Sequence, residues 1–179
     1  SATMMNKLFE VIEAKKIFNL KYSQLKILIH PKSYVHAIIK FKNGLTKMLI
    51  HDTDMSVPIF NSIYNNTNDY YGSKKLDFKL INNLDLSYVN KIKFPSIDLL
   101  KKIPNNSSLL ETVLVSSNDV LVECFLNKMI KFTDINHNLK KILNLSEFRQ
   151  LKKVYPKNLK QIMDIDKKVR LKTLSLCIK

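Results

Sequence analysis

Ser1, Asn6, Lys7 and Glu10 bring a hydroxyl, an amide, an ammonium and a carboxylate together within the first ten residues. Residues 4–18 carry Met5, Leu8, Phe9 and Ile12 at spacings of three and four, which predicts a helix with an apolar stripe. Asn6, Glu10 and Glu13 fall on another face at i, i+4 and i+7, with Lys7 beside them. Ser1 or Thr3 is expected to cap this helix, because a hydroxyl there satisfies a free backbone N–H. Free N–H groups and the helix dipole make phosphate the natural ligand of such an end, and Lys7 adds a full charge. Glu10, one turn past Asn6, offers carboxylate oxygens to a hard cation such as Mg²⁺ or Mn²⁺. The same spacing equally describes the solvated face of an ordinary amphipathic helix, and spacing alone favours that plainer reading.

The other chemistry-bearing residues are sparse. His30, His36, His51 and His137 form no HExxH pattern, and a structural role is the default for each. Cys124 and Cys177 have no His or Asp at motif spacing, so nucleophilic catalysis has no support. Two distant cysteines make neither a disulfide framework nor a zinc site, and they suggest a reducing compartment. With Gly44 and Gly72 as its only glycines, the chain encodes no Gly-rich phosphate loop. The net charge of +15 comes from 30 Lys and Arg against 15 Asp and Glu. The lysines are spread along the chain without aromatic interleaving, so the charge does not point to nucleic acid. No apolar run approaches the roughly 18 residues that read as a membrane span. A chain of 179 residues, 45% apolar, can bury a core as one domain or two small ones.

The elements that must position these residues follow from periodicity. Residues 25–30 read as a strand ended by Pro31. Residues 34–41 and 45–50 read as two strands joined through Asn43-Gly44, a hairpin signal because both residues accept positive φ. Val35, Ala37, Ile39 and Phe41 are expected on one side, His36, Ile38 and Lys40 on the other. A loop from His51 to Pro58, holding Asp52, Asp54 and Met55, is expected next. Residues 65–75 read as an exposed polar connection, and 76–104 as mixed, broken by Pro95 and Pro104. Ser117 or Asn118 is expected to cap a helix through Met129, Thr133 a second to about Leu145, and Leu159 to about Leu174 a third. Such helices suggest a small antiparallel bundle. The chain opens without an initiator Met and almost at a helix cap, which reads as the inside of a longer protein.

Four blocks in order resemble the 1-deoxy-D-xylulose-5-phosphate reductoisomerase family. They are Ser1-Ala2-Thr3-Met4-Met5-Asn6-Lys7 with Glu10-Val11-Ile12-Glu13-Ala14, and Ile29-His30-Pro31-Lys32-Ser33-Tyr34-Val35-His36 with the Asn43-Gly44 hairpin. Asp54-Met55 with Pro58-Ile59 follows, and then Ser117-Asn118-Asp119 with Lys131-Phe132-Thr133-Asp134-Ile135. The resemblance implies conversion of 1-deoxy-D-xylulose 5-phosphate to 2-C-methyl-D-erythritol 4-phosphate in non-mevalonate isoprenoid synthesis, using NADPH and a divalent cation, Mg²⁺ or Mn²⁺. By the same resemblance Ser1, Asn6 and Lys7 are substrate ligands, and Glu10 touches both metal and substrate. His36 is the active-site histidine, and Met55 lies near the nicotinamide.

Departures accompany it. The family usually has a glycine where this chain has Leu8, and its Leu-Asn-Ala-Ala-Asn-Glu run is here Leu114-Val115-Ser116-Ser117-Asn118-Asp119. The family's dinucleotide-binding half, with its Asp-Ser-Glu metal ligands and substrate-closing loop, has no counterpart in these residues. The chain is therefore expected to be the C-terminal portion of such an enzyme, inactive alone, cytoplasmic in a bacterium, homodimeric at full length, and without nucleic-acid or membrane partners. The alternative is a non-catalytic binding or structural protein derived from it. The expected fold is α+β: residues 1–64 as part of the catalytic domain, 65–96 as a connecting segment and 97–179 as a helical bundle.

Overall fold

The computed structural model describes residues 2–64, 71, 72, 75 and 77–178. Its fold is α+β, in two compact units, one made of residues 2–26 and 90–178 and the other of residues 27–89. The units cut the chain at other places than the change of periodicity does, because the first helix buries its apolar stripe among the C-terminal helices.

In the first unit, α1 spans Met5–Ile17. Met5, Leu8, Val11 and Ile12 are buried, while Asn6, Lys7, Glu10 and Glu13 are exposed. The helix is entered through Met4 in the left-handed region, at φ 60°, and Met4 itself is the cap residue. Of the two expected hydroxyl caps, Thr3 Oγ1 accepts from the Met5 N–H at 3.4 Å; Ser1 lies outside the described residues. Short 3₁₀ turns follow at Tyr22–Gln24 and Pro95–Lys102. Pro95 starts the second turn instead of breaking an element, since a first-turn proline has no N–H to leave unpaired.

Helix α4, Leu109–Leu126, is the centre of this unit, and its cap residue, Ser108, lies nine residues before Ser117. Its buried positions run round most of its circumference, from Leu109 through Leu114 and Leu121 to Cys124. Ser117 and Asn118, read above as caps, lie in mid-helix. The Ser117 hydroxyl donates to the Val113 carbonyl at 2.5 Å, a back-bond to the preceding turn that leaves the helix unbroken. Helix α5, Phe132–Asn144, is entered where Asp134 accepts from the Lys131 N–H at 2.9 Å. Thr133 is inside its first turn and is not the cap. A short α6, Ser146–Arg149, brings Phe148 into the core. Helix α7, Leu159–Cys177, is capped by Asn158, whose side chain accepts from the Gln161 N–H at 2.9 Å. The core joins Met5, Leu8 and Ile12 of α1 to Leu99, Leu114, Leu139, Phe148 and Val169.

In the second unit, β1 Leu28–Ile29 pairs antiparallel with β4 Ser87–Tyr88, so the entering and leaving strands meet. Strands β2 Val35–Lys40 and β3 Thr46–Ile50 form the expected hairpin, with Gly44 at φ 90° in its turn. A register shift between Val35 and Ala37 bulges β2 at His36. The expected alternation holds only through Ala37, and Ile38, Ile39, Met48 and Leu49 are all exposed. The loop expected to reach Pro58 ends sooner, because α2 spans Ser56–Ile63. Pro58 sits in its first turn, where no intrahelical N–H bond is lost. Helix α3, Phe78–Asn82, lies in the stretch read as mixed. Residues 65–70 of the expected polar connection lie outside the described residues.

Candidate functional site

Helix α1 presents the polar face for a physical reason: its opposite side is committed to the core, so Asn6, Lys7 and Glu10 cannot rotate inward. Lys7 Nζ donates to both carboxylate oxygens of Glu10, at 2.9 and 2.8 Å. The two side chains are 50% and 55% exposed. An ion pair this open to water contributes only about 0.2–1 kcal/mol. Both members are therefore available at little cost, the ammonium to an anion and the carboxylate to a cation. The structure thus brings Asn6, Lys7 and Glu10 onto one accessible surface, while Ser1 lies outside the described residues. Leu8 is fully buried beneath this face.

His36 and Met55 belong to the second unit. His36 stands on the β2 bulge with its ring stacked on His51, centroids 3.5 Å apart and planes within 4°. The hairpin makes this pairing: the His51 N–H donates to the Tyr34 carbonyl at 3.2 Å, which brings position 51 back alongside the bulge. Sequence reasoning missed His51, although a hairpin centred on Gly44 returns residue 51 to the neighbourhood of 34–36. His30 orders the preceding turn, its Nδ1 accepting the N–H groups of Tyr34 and Val35, each at 3.1 Å. Ser33 within that turn has φ 55°. Met55 is exposed and opens α2, with Asp54 Oδ1 accepting the Ser56 N–H at 2.9 Å.

Glu10 fits one ligand position of a hard divalent cation, being an exposed carboxylate with oxygen donors only. No cluster of three His, Cys, Asp or Glu suited to a metal occurs among the described residues. Met55 offers an apolar contact and no phosphate-cradling backbone, so it suits the nicotinamide end of a dinucleotide and not its pyrophosphate.

An exposed polar helix on a helical core, with a hairpin unit beside it in the sequence, defines an α+β segment. The chain belongs to the family described as DXP reductoisomerase C-terminal domain, whose sequence pattern matches residues 50–172. It is 55% identical over 178 residues to the 1-deoxy-D-xylulose 5-phosphate reductoisomerase of Pelagibacter ubique strain HTCC1062, covering 99% of this chain and 46% of that protein. It is 34% identical over 186 residues to the enzyme of Blochmanniella pennsylvanica, covering 99% and 44%. Among solved structures, the Zymomonas mobilis enzyme in complex with NADPH matches with TM-score 0.84 at 27% identity, over 100% of this chain and 46% of that one. A DOX-P reductoisomerase with fosmidomycin and magnesium matches with TM-score 0.89 at 29% identity, over 98% and 45%. The chain spans less than half the length of these relatives.

Proposed function

We propose that this chain is the substrate- and metal-facing C-terminal portion of an NADPH-dependent 1-deoxy-D-xylulose-5-phosphate reductoisomerase. The observation that carries the reading is the accessible Asn6, Lys7 and Glu10 face on α1, in a chain whose relatives over 99% of its length bear that name. Ser1, Asn6 and Lys7 bind the substrate's phosphate, with Lys7 exchanging its exposed pairing with Glu10 for the more highly charged phosphate. Glu10 holds the cation, Mg²⁺ or Mn²⁺, and orients the substrate oxygens beside it. When bound, that cation supplies Lewis-acid polarisation of the substrate carbonyl, and NADPH supplies the hydride. His36, held by its stack on His51, borders the reacting end, and Met55 packs against the nicotinamide. Residues 27–64 together with α1 then serve the catalytic domain, and the helices from Leu109 onward form the C-terminal bundle.

The isolated chain is inactive in this reading, because it holds one metal carboxylate on that face and no Gly-rich dinucleotide loop. The full-length enzyme is a homodimer of the bacterial cytoplasm. Ile38, Ile39, Met48 and Leu49, exposed on both faces of a two-stranded ribbon, support a second layer against the hairpin. No described helix is long and apolar enough to cross a membrane.

A chimaera tests the proposal. This sequence replaces the matching 178-residue segment of the Pelagibacter ubique enzyme, and NADPH oxidation is followed with 1-deoxy-D-xylulose 5-phosphate. Turnover by the chimaera and none by the 179-residue chain alone is the expected result. A folded but inactive chimaera overturns the assignment, and turnover by the chain alone overturns the claim of incompleteness.

A further inference from the structure

The C-terminal end of α1 faces a cleft of about 810 Å³ that the reductoisomerase reading does not use. Four lysines line it, Lys15, Lys16, Lys152 and Lys153, together with Asn105 and Tyr155, and no carboxylate does. Of the four, Lys16 alone has a carboxylate partner among the described residues, Glu111 at 2.5 Å, which is just 6% exposed. Lys15 is buried with its ammonium 5.3 Å from the centre of the Tyr22 ring, a cation–π arrangement. Lys152 and Lys153 have no carboxylate at ion-pair distance among the described residues. Asn105 Oδ1 accepts the Tyr22 N–H at 3.4 Å, which leaves its amide hydrogens as donors.

Like charges gathered round a concavity repel one another and focus a positive potential into it. A multiply charged anion relieves both. We propose that the cleft is a second anion site, taking a small molecule with a phosphate or polyphosphate group of at least two negative charges. It is distinct from the candidate substrate face, because eight or nine residues at about 1.5 Å each place Lys15 and Lys16 roughly 12 Å along the helix axis from Lys7. Its size lies within the ordinary range for small-molecule sites. A single lining aromatic, Tyr155, does not supply the successive stacking surfaces that a nucleic-acid strand uses. The inference stands independently of the reductoisomerase reading.

Isothermal titration of the 179-residue chain with inorganic pyrophosphate, and separately with ADP, tests it. Three proteins are compared: the unaltered chain, Lys152→Gln/Lys153→Gln, and Lys167→Gln/Lys172→Gln, which removes the same charge from the exposed face of α7. Saturable binding with one equivalent of pyrophosphate is expected. Each lost charge-assisted contact at a partly screened site is a factor of about three to ten, so the first variant should bind about tenfold or more weakly. The α7 variant should change less than about twofold. Tighter binding of ADP assigns its base to the exposed Tyr155 ring, and equal or weaker binding assigns the site to the phosphate group alone; either outcome upholds the site. Absence of saturable pyrophosphate binding, or equal losses in the two variants, overturns it.

Discussion

Leu8→Ala should destabilise the protein by about 3–5 kcal/mol, through the loss of a fully buried side chain and the cavity left behind. The transfer of a leucine side chain from water accounts for about 1.5–3 kcal/mol of this, and the unfilled space left in the core for the remainder. The consequence reaches function, because a helix of 13 residues is marginal in water without its packing. Loosening Leu8 therefore loosens the placement of Asn6, Lys7 and Glu10 on the opposite face. Urea unfolding followed by circular dichroism at 222 nm measures the loss. With a slope of about 2 kcal/mol per M, the midpoint should fall by roughly 1.5–2.5 M. Glu13→Ala, on the exposed face of the same helix, should change stability by less than about 0.5 kcal/mol. A midpoint shift below about 0.5 M for Leu8→Ala would refute the claim that α1 is held by this core.

Three further outcomes are expected. Burial works to raise the Asp166 carboxyl, but hydrogen bonds from Ser116 and Arg170 outweigh it and hold it below the usual carboxylate range. The stability this contributes is present above the unfolded value near pH 4 and is lost as pH falls through the lower folded value, so Asp166→Asn should flatten the acid-unfolding profile below pH 4. Burial and then the Glu111 charge push the Tyr22 phenol up to about 12. Its stabilising contribution is complete below the ordinary value of 10 and disappears as pH rises through 12, and absorbance titration at 295 nm should show one late tyrosine that Glu111→Gln brings down. Burial, with the Cys124 thiol beside it, pushes the Cys177 thiol up to about 12, so Cys177 should not react with a disulfide reagent at pH 8 until urea exposes it.

The site helix and the hairpin were legible because each is written in local pattern. The spacing of Met5, Leu8 and Ile12 fixes which side of α1 is buried, and Asn43-Gly44 fixes the turn between β2 and β3. The start of α4 was not legible. Ser117 and Asn118 look like capping residues, yet they lie where the helix is buried on several sides, and the Ser117 hydroxyl bonds back to the preceding turn of the helix. Tertiary packing, which local pattern does not contain, decides that case. The same holds for the grouping of α1 with the C-terminal helices, which joins Met5, Leu8 and Ile12 to their core and Lys16 to Glu111 of α4. His51 was missed because it stands in the loop past β3, and its stack on His36 follows from the hairpin's register together with the bulge in β2. The lysine-lined cleft draws on positions 15, 16, 152 and 153, which a count of net charge cannot bring together.

Steady-state kinetics of Glu10→Gln and Lys7→Ala in the Pelagibacter chimaera, at saturating Mg²⁺ and NADPH, test the central claim about the α1 face. An amide is a poorer donor to a hard divalent ion than a carboxylate, so Glu10→Gln should lower mainly kcat, by about 100-fold or more. Lys7→Ala should act chiefly on KM, raising it roughly 10- to 150-fold, the value of one charge-assisted hydrogen bond of about 1.5–3 kcal/mol. Near-normal kcat in Glu10→Gln, with kcat abolished in Lys7→Ala, would contradict the account and remove the metal from this helix.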